Sequence, residues 1–100
     1  MKTTIQNESY SGWNTWSVRN AETGKIITQH ITETTAKEIQ KGLKHDGNFF
    51  QKFTFCFYNR KYSNAYNFIS FCTRGYEYAL NILMQTINTE NCDYYLMKID

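Results

Sequence analysis

Residues 53–58, Phe-Thr-Phe-Cys-Phe-Tyr, and residues 66–72, Tyr-Asn-Phe-Ile-Ser-Phe-Cys, are the stretches on which the fold of this chain turns. In the first, Phe53, Phe55 and Phe57 alternate with Thr54, Cys56 and Tyr58, a period of two that marks a strand with one face in a core. In the second, Ile69 and Phe71 take one face while Tyr66, Phe68 and Ser70 take the other. The polar segment between them, residues 59–64, carries Arg60 and Lys61 and reads as a turn, so the two strands make a hairpin.

Working outward, Ala36, Ile39 and Leu43 fall at helical spacing within residues 32–44, with Lys37, Glu38, Lys41 and Lys44 on the other faces. Thr35-Ala36-Lys37-Glu38 has the form of a capping box, and Gly47 supplies a stop because glycine accepts the left-handed conformation that ends many helices. After the hairpin, Thr73 is placed to cap a second helix whose stripe of Tyr76, Ala79, Leu80, Leu83, Met84 and Ile87 is broad enough to be the more deeply buried of the two. Residues 94–99 read as a closing strand. Before the first helix, residues 13–20 and 25–30 form two strands around the turn Ala21-Glu22-Thr23-Gly24, with Gly24 available for positive φ. Residues 1–12 are unpatterned and are expected to be a flexible lead-in to a single domain over residues 13–100.

The expected fold is therefore α+β, with order ββαββαβ and two helices packed on one face of an antiparallel sheet: a ferredoxin-like sandwich with an extra N-terminal strand. With 100 residues the chain has room for one core. An aromatic share of 17% is largely needed to build it, so aromatic richness is not in itself a binding signal.

Composition narrows the function. A net charge of +2 suits neither a strongly basic polyanion binder nor an acidic mimic of DNA. No apolar run approaches a membrane span, and Lys2-Thr3-Thr4 follows Met1, so a cytoplasmic protein is expected. Cys56, Cys72 and Cys92 are odd in number and far apart, which fits reduced, mostly buried thiols better than a disulfide framework or a zinc motif. His30 with Glu33, and His45 with Asp46, fall short of a metal-ligand set, and the glycines never cluster into a phosphate loop. No catalytic residue, metal or cofactor is expected.

The run Tyr66, Phe68, Ile69, Phe71 resembles the third-strand motif of RNA-recognition-motif domains, which are βαββαβ sandwiches. The resemblance implies that Tyr66 and Phe68 stack bases of a single strand of RNA or DNA while Arg60 and Lys61 hold phosphates. It covers one strand and the order of elements over residues 25–99. The chain departs from the family where Asn64 and Ala65 replace a basic residue and a glycine, and where Ile27 stands in place of a first-strand aromatic. A further strand also precedes the family's first.

In general character the chain resembles the small inhibitors, such as anti-CRISPR proteins, that phages and plasmids direct at host defence. Short length, no assembled chemistry, aromatic and amide-rich surfaces and a composition suited to an AT-rich gene carry that resemblance. It implies a non-enzymatic protein acting in the host cytoplasm by steric occlusion of a nucleic-acid-handling complex. Trp13, Tyr58, Tyr66 and Phe68 would anchor the protein partner, and Lys52, Arg60 and Lys61 would orient it through charge. A structural or assembly subunit is the third class, and exposed strand edges would permit a homodimer.

Overall fold

The computed structural model describes residues 1–10, 13–62 and 65–100, and of these the side chains of residues 9, 10 and 13 lie outside the description. Its elements are β1 (Thr3–Tyr10), β2 (Trp13–Asn20), β3 (Ile26–Ile31), α1 (Glu33–Leu43), β4 (Gln51–Asn59), a 3-10 turn (Arg60–Tyr62), β5 (Tyr66–Thr73), α2 (Tyr76–Thr86) and β6 (Cys92–Ile99). The α+β class holds, and from β2 onward the order is the expected ββαββαβ.

Three features differ from the sequence expectation. Most of the expected lead-in is strand β1, which pairs residue for residue with β2 from Thr3↔Asn20 to Tyr10↔Trp13. Its composition hides this, since Ile5 is its one aliphatic residue; the Met1 ammonium donating to the Leu43 carbonyl and Gln40 Nε2 donating to the Thr3 carbonyl tie it to α1. The strands also divide into two antiparallel sheets, β1-β2-β3 and β5-β4-β6. Finally, β4 occupies the middle of its sheet and β3 belongs to the other, so the strand order is not that of a ferredoxin-like sandwich. β4 takes the centre of its sheet because, of the three strands there, it is the one with buried residues on both faces: Phe53 and Phe55 on one, Cys56 on the other.

One apolar cluster joins both sheets. Val18 and Ile27 of the first, Ala36, Ile39 and Leu43 of α1, Phe53, Phe55 and Leu96 of the second, and Ala79 and Leu83 of α2 are all buried within it. Tyr76 sits edge-on to Phe53 and tilted to Phe55, with ring centroids 6.3 and 6.2 Å apart. Truncating either phenylalanine to alanine removes about 3–5 kcal/mol. Both helices meet the second sheet on the side of Phe53 and Phe55: α2 through Tyr76, and α1 through Gly42, whose carbonyl accepts from Gln51 Nε2 at 2.9 Å.

The caps are not the residues expected. Thr32 rather than Thr35 caps α1, its hydroxyl accepting the Thr35 N–H, and Gly75 rather than Thr73 is the cap residue of α2. The missing acceptor for α2 comes from elsewhere in the chain, because Asp46 Oδ1 takes the Tyr76 N–H at 2.6 Å. Gly24 and Gly47 adopt positive φ as expected, +74° and +85°.

Candidate binding face

Strand parity places Tyr66, Phe68, Ser70 and Cys72 of β5, and Lys52, Thr54, Cys56 and Tyr58 of β4, on the side of the second sheet away from the helices. Tyr66 and Phe68 are 56% and 61% exposed, while Ile69 and Phe71 pack against the core, so the facing read from the sequence holds on this strand. β6 adds Tyr95, which lies opposite Cys56, and Asp93, which lies opposite Tyr58. Sequence reasoning missed both. The alternation of Tyr95 with Tyr94 and Leu96 signals a face, but the register shift between Thr54 and Phe55 in the β4–β6 pairing makes Met97 an extra residue and breaks the pattern beyond it.

The face is an aromatic platform. The Tyr58 and Tyr66 rings meet edge to face at 5.3 Å, and Thr54 and Ser70 hydroxyls hydrogen-bond at 2.8 Å across the strands. Cys56 lies beneath, 1% exposed, directly across the strands from Tyr95. The neighbouring Cys56 thiol, then burial, pushes the Tyr95 phenol up to about 12. Burial first, and then the charge of the Asp93 carboxylate across the strands, raises Tyr58 as well. Both phenols are neutral across the physiological range and offer hydroxyl groups rather than charge.

Of the candidate partner-binding residues, the structure brings Lys52, Tyr58, Tyr66 and Phe68 onto this one face, with Arg60 and Lys61 at its end in the 3-10 turn. Arg60 is engaged within the chain: its guanidinium donates to the Glu90 carbonyl and pairs with Asp93 at 3.4 Å. Lys61 Nζ lies 5.8 Å from the Tyr62 ring centroid. Trp13 begins β2 in the other sheet, and its side chain lies outside the described residues, as does Asn64. Ile27 is buried in that same sheet and adds nothing to the platform.

Beside the platform a cleft of about 670 Å³ runs between β3 and β6, with residues 25–30 on one wall and Tyr58, Tyr66, Tyr76, Tyr94 and Tyr95 on the other. β3 carries two register shifts against β2, and His30 takes the left-handed conformation at φ 61° within the first of them. Histidine is among the side chains that tolerate that region. Of the thiols, Cys56 is buried but Cys72 is exposed on the platform's strand, where a buried one was expected. Among the described residues no three His, Cys, Asp or Glu side chains gather in one place, and no helix is long and apolar enough to cross a membrane.

Fold and face together define a small α+β domain that presents one uncovered, aromatic sheet surface. No protein-family model matches the chain, no curated protein matches its sequence and no solved structure matches its fold.

Proposed function

We propose that this chain is a non-enzymatic binding protein that docks a protein partner on the open face of its second sheet and blocks the surface it covers. The observation that carries this reading is the exposure of Tyr66 and Phe68, side by side on a strand whose opposite face packs on the core. Aromatic side chains carry few rotatable bonds for the large apolar area they bury, which is what interface anchors require. An inhibitor of a nucleic-acid-handling complex is the form of this reading that the size and character of the chain suit best.

Charge favours a protein over a phosphate backbone as the occupant. Arg60 is tied to Asp93 and Glu90, Asp93 places a carboxylate at the platform's end, and Lys98 pairs with Asp100 at the other end at 3.4 Å. Single-strand binding depends on cations that track phosphates, and of those at this face Arg60 and Lys98 are already paired within the chain, which leaves Lys52 and Lys61.

The test compares wild type with Tyr66→Ala/Phe68→Ala as bait in lysate, with and without nuclease, after circular dichroism has confirmed that both fold. A protein partner retained after nuclease by wild type and lost by the double variant supports the reading. A partner held equally by both moves the site off this face. Capture of RNA or single-stranded DNA alone, with affinity falling steeply in salt, replaces the protein reading with the nucleic-acid one.

A further inference from the structure

We infer that the outer edge of β5 joins a second copy of this chain, forming a symmetric dimer with one continuous six-stranded antiparallel sheet. The backbone pattern shows which groups would do it. Lys52 and Asp100 exchange both backbone hydrogen bonds at 2.9 Å, and Arg60 N–H donates to the Asn91 carbonyl, so the even-numbered residues of β4 bond toward β6. The odd-numbered ones therefore bond toward β5, where Phe53 meets Phe71, Phe55 meets Ile69 and Phe57 meets Asn67. Tyr66, Phe68, Ser70 and Cys72 consequently turn their N–H and C=O groups outward, away from β4, at the end of the sheet.

Edge strands are ordinarily guarded by charge, proline or bulges. The three other strands with a free edge have such guards: β1 carries Glu8, β3 has two register shifts, and β6 has a register shift together with Asp93 and Lys98. β5, Tyr-Asn-Phe-Ile-Ser-Phe-Cys-Thr, has no Lys, Arg, His, Asp or Glu, pairs with β4 without a shift, and belongs to a chain with no proline. A two-fold axis sets each residue of one strand against a residue of the same strand, so a chargeless strand is the one that pairs with itself without like charges meeting.

Full overlap of the outward-facing residues fixes the register. The axis passes at Ile69, Phe68 bonds Ser70 of the second copy, and Tyr66 bonds its Cys72. The two aromatic platforms then lie on the same side of one sheet, and neither is covered.

The test is sedimentation equilibrium of the intact chain with two variants. Wild type should rise from 11.9 kDa toward twice that mass between about 10 µM and about 1 mM, the range expected of a small interface. Ser70→Pro removes only an outward N–H and an exposed hydroxyl contact, so it should keep the wild-type circular dichroism and remain monomeric throughout. Tyr66→Cys should form an intermolecular disulfide with the native Cys72 under mild oxidation, because paired α-carbons at about 5.5 Å suit that bond, and adding Cys72→Ser should abolish it. Wild type that stays at 11.9 kDa, a folded Ser70→Pro that dimerises as well as wild type, or a dimer in which Tyr66→Cys does not cross-link each overturns the assignment. Folded Ser70→Pro keeps Tyr66 and Phe68 exposed, so loss of the dimer and loss of partner binding are read separately.

Discussion

Cys56 and Cys72 occupy the same face of the same hairpin in opposite surroundings, one sealed under Tyr95 and the other at an open edge. Thiol labelling of the folded protein should modify Cys72 and leave Cys56 untouched until denaturant is added; equal labelling of both would contradict the packing of Tyr95. Glu8 is the other residue whose environment makes a measurable claim. Its carboxylate accepts from Arg19 at 2.7 Å and from Ser17 at 2.9 Å, and these bonds hold it below its ordinary 4.5. A lowered acid contributes stability that is present above its unfolded value and lost as pH falls through its folded value. Glu8→Gln should therefore melt below wild type at neutral pH, and the gap should close in the acid range under pH 4.5. A gap that is constant down to the acid limit would place the effect in packing instead. Sequence could not reveal either environment, since Glu8 meets Ser17 and Arg19 only through the β1–β2 register.

At the level of elements, helix positions were legible and helix ends were not. The spacing of Ala36, Ile39 and Leu43 located α1, and that of Tyr76, Ala79, Leu80 and Leu83 located α2, because burial of one stripe is written in the helical period. The cap of α2 comes from Asp46, thirty residues away in sequence, and no local pattern encodes it. Asp46→Ala should lower stability by about 1 kcal/mol in urea denaturation; an unchanged midpoint would show that water replaces the carboxylate without cost. Gly42 makes the opposite case. Alanine there would favour the helix by about 1 kcal/mol, yet its Cβ would stand 2.9 Å from Ile99 Cβ. Gly42→Ala should therefore destabilise, by about 1–3 kcal/mol of overpacking less that gain, and a stabilised variant would mean that β6 yields at Ile99.

For the whole molecule, one apolar cluster spans two sheets that share no backbone pairing among the described residues, with α1 lying against both. The sheets should therefore unfold together. Far- and near-ultraviolet circular dichroism should give coincident thermal transitions, whereas two separated transitions would show that each sheet is a unit of its own. The platform of Tyr58, Tyr66, Phe68 and Tyr95 belongs to this scale too, because residues from three strands form it.

Local periodicity was enough to fix the α+β class, the hairpin of β4 and β5, and the facing of Tyr66 and Phe68, because side-chain direction within a strand is set by its own backbone. Strand pairing depends on contacts between distant segments, and no local period records it. Tertiary structure alone therefore decided that β1 is a strand, that the sheet is two sheets, that Tyr95 completes the platform and that β5 stands at an edge.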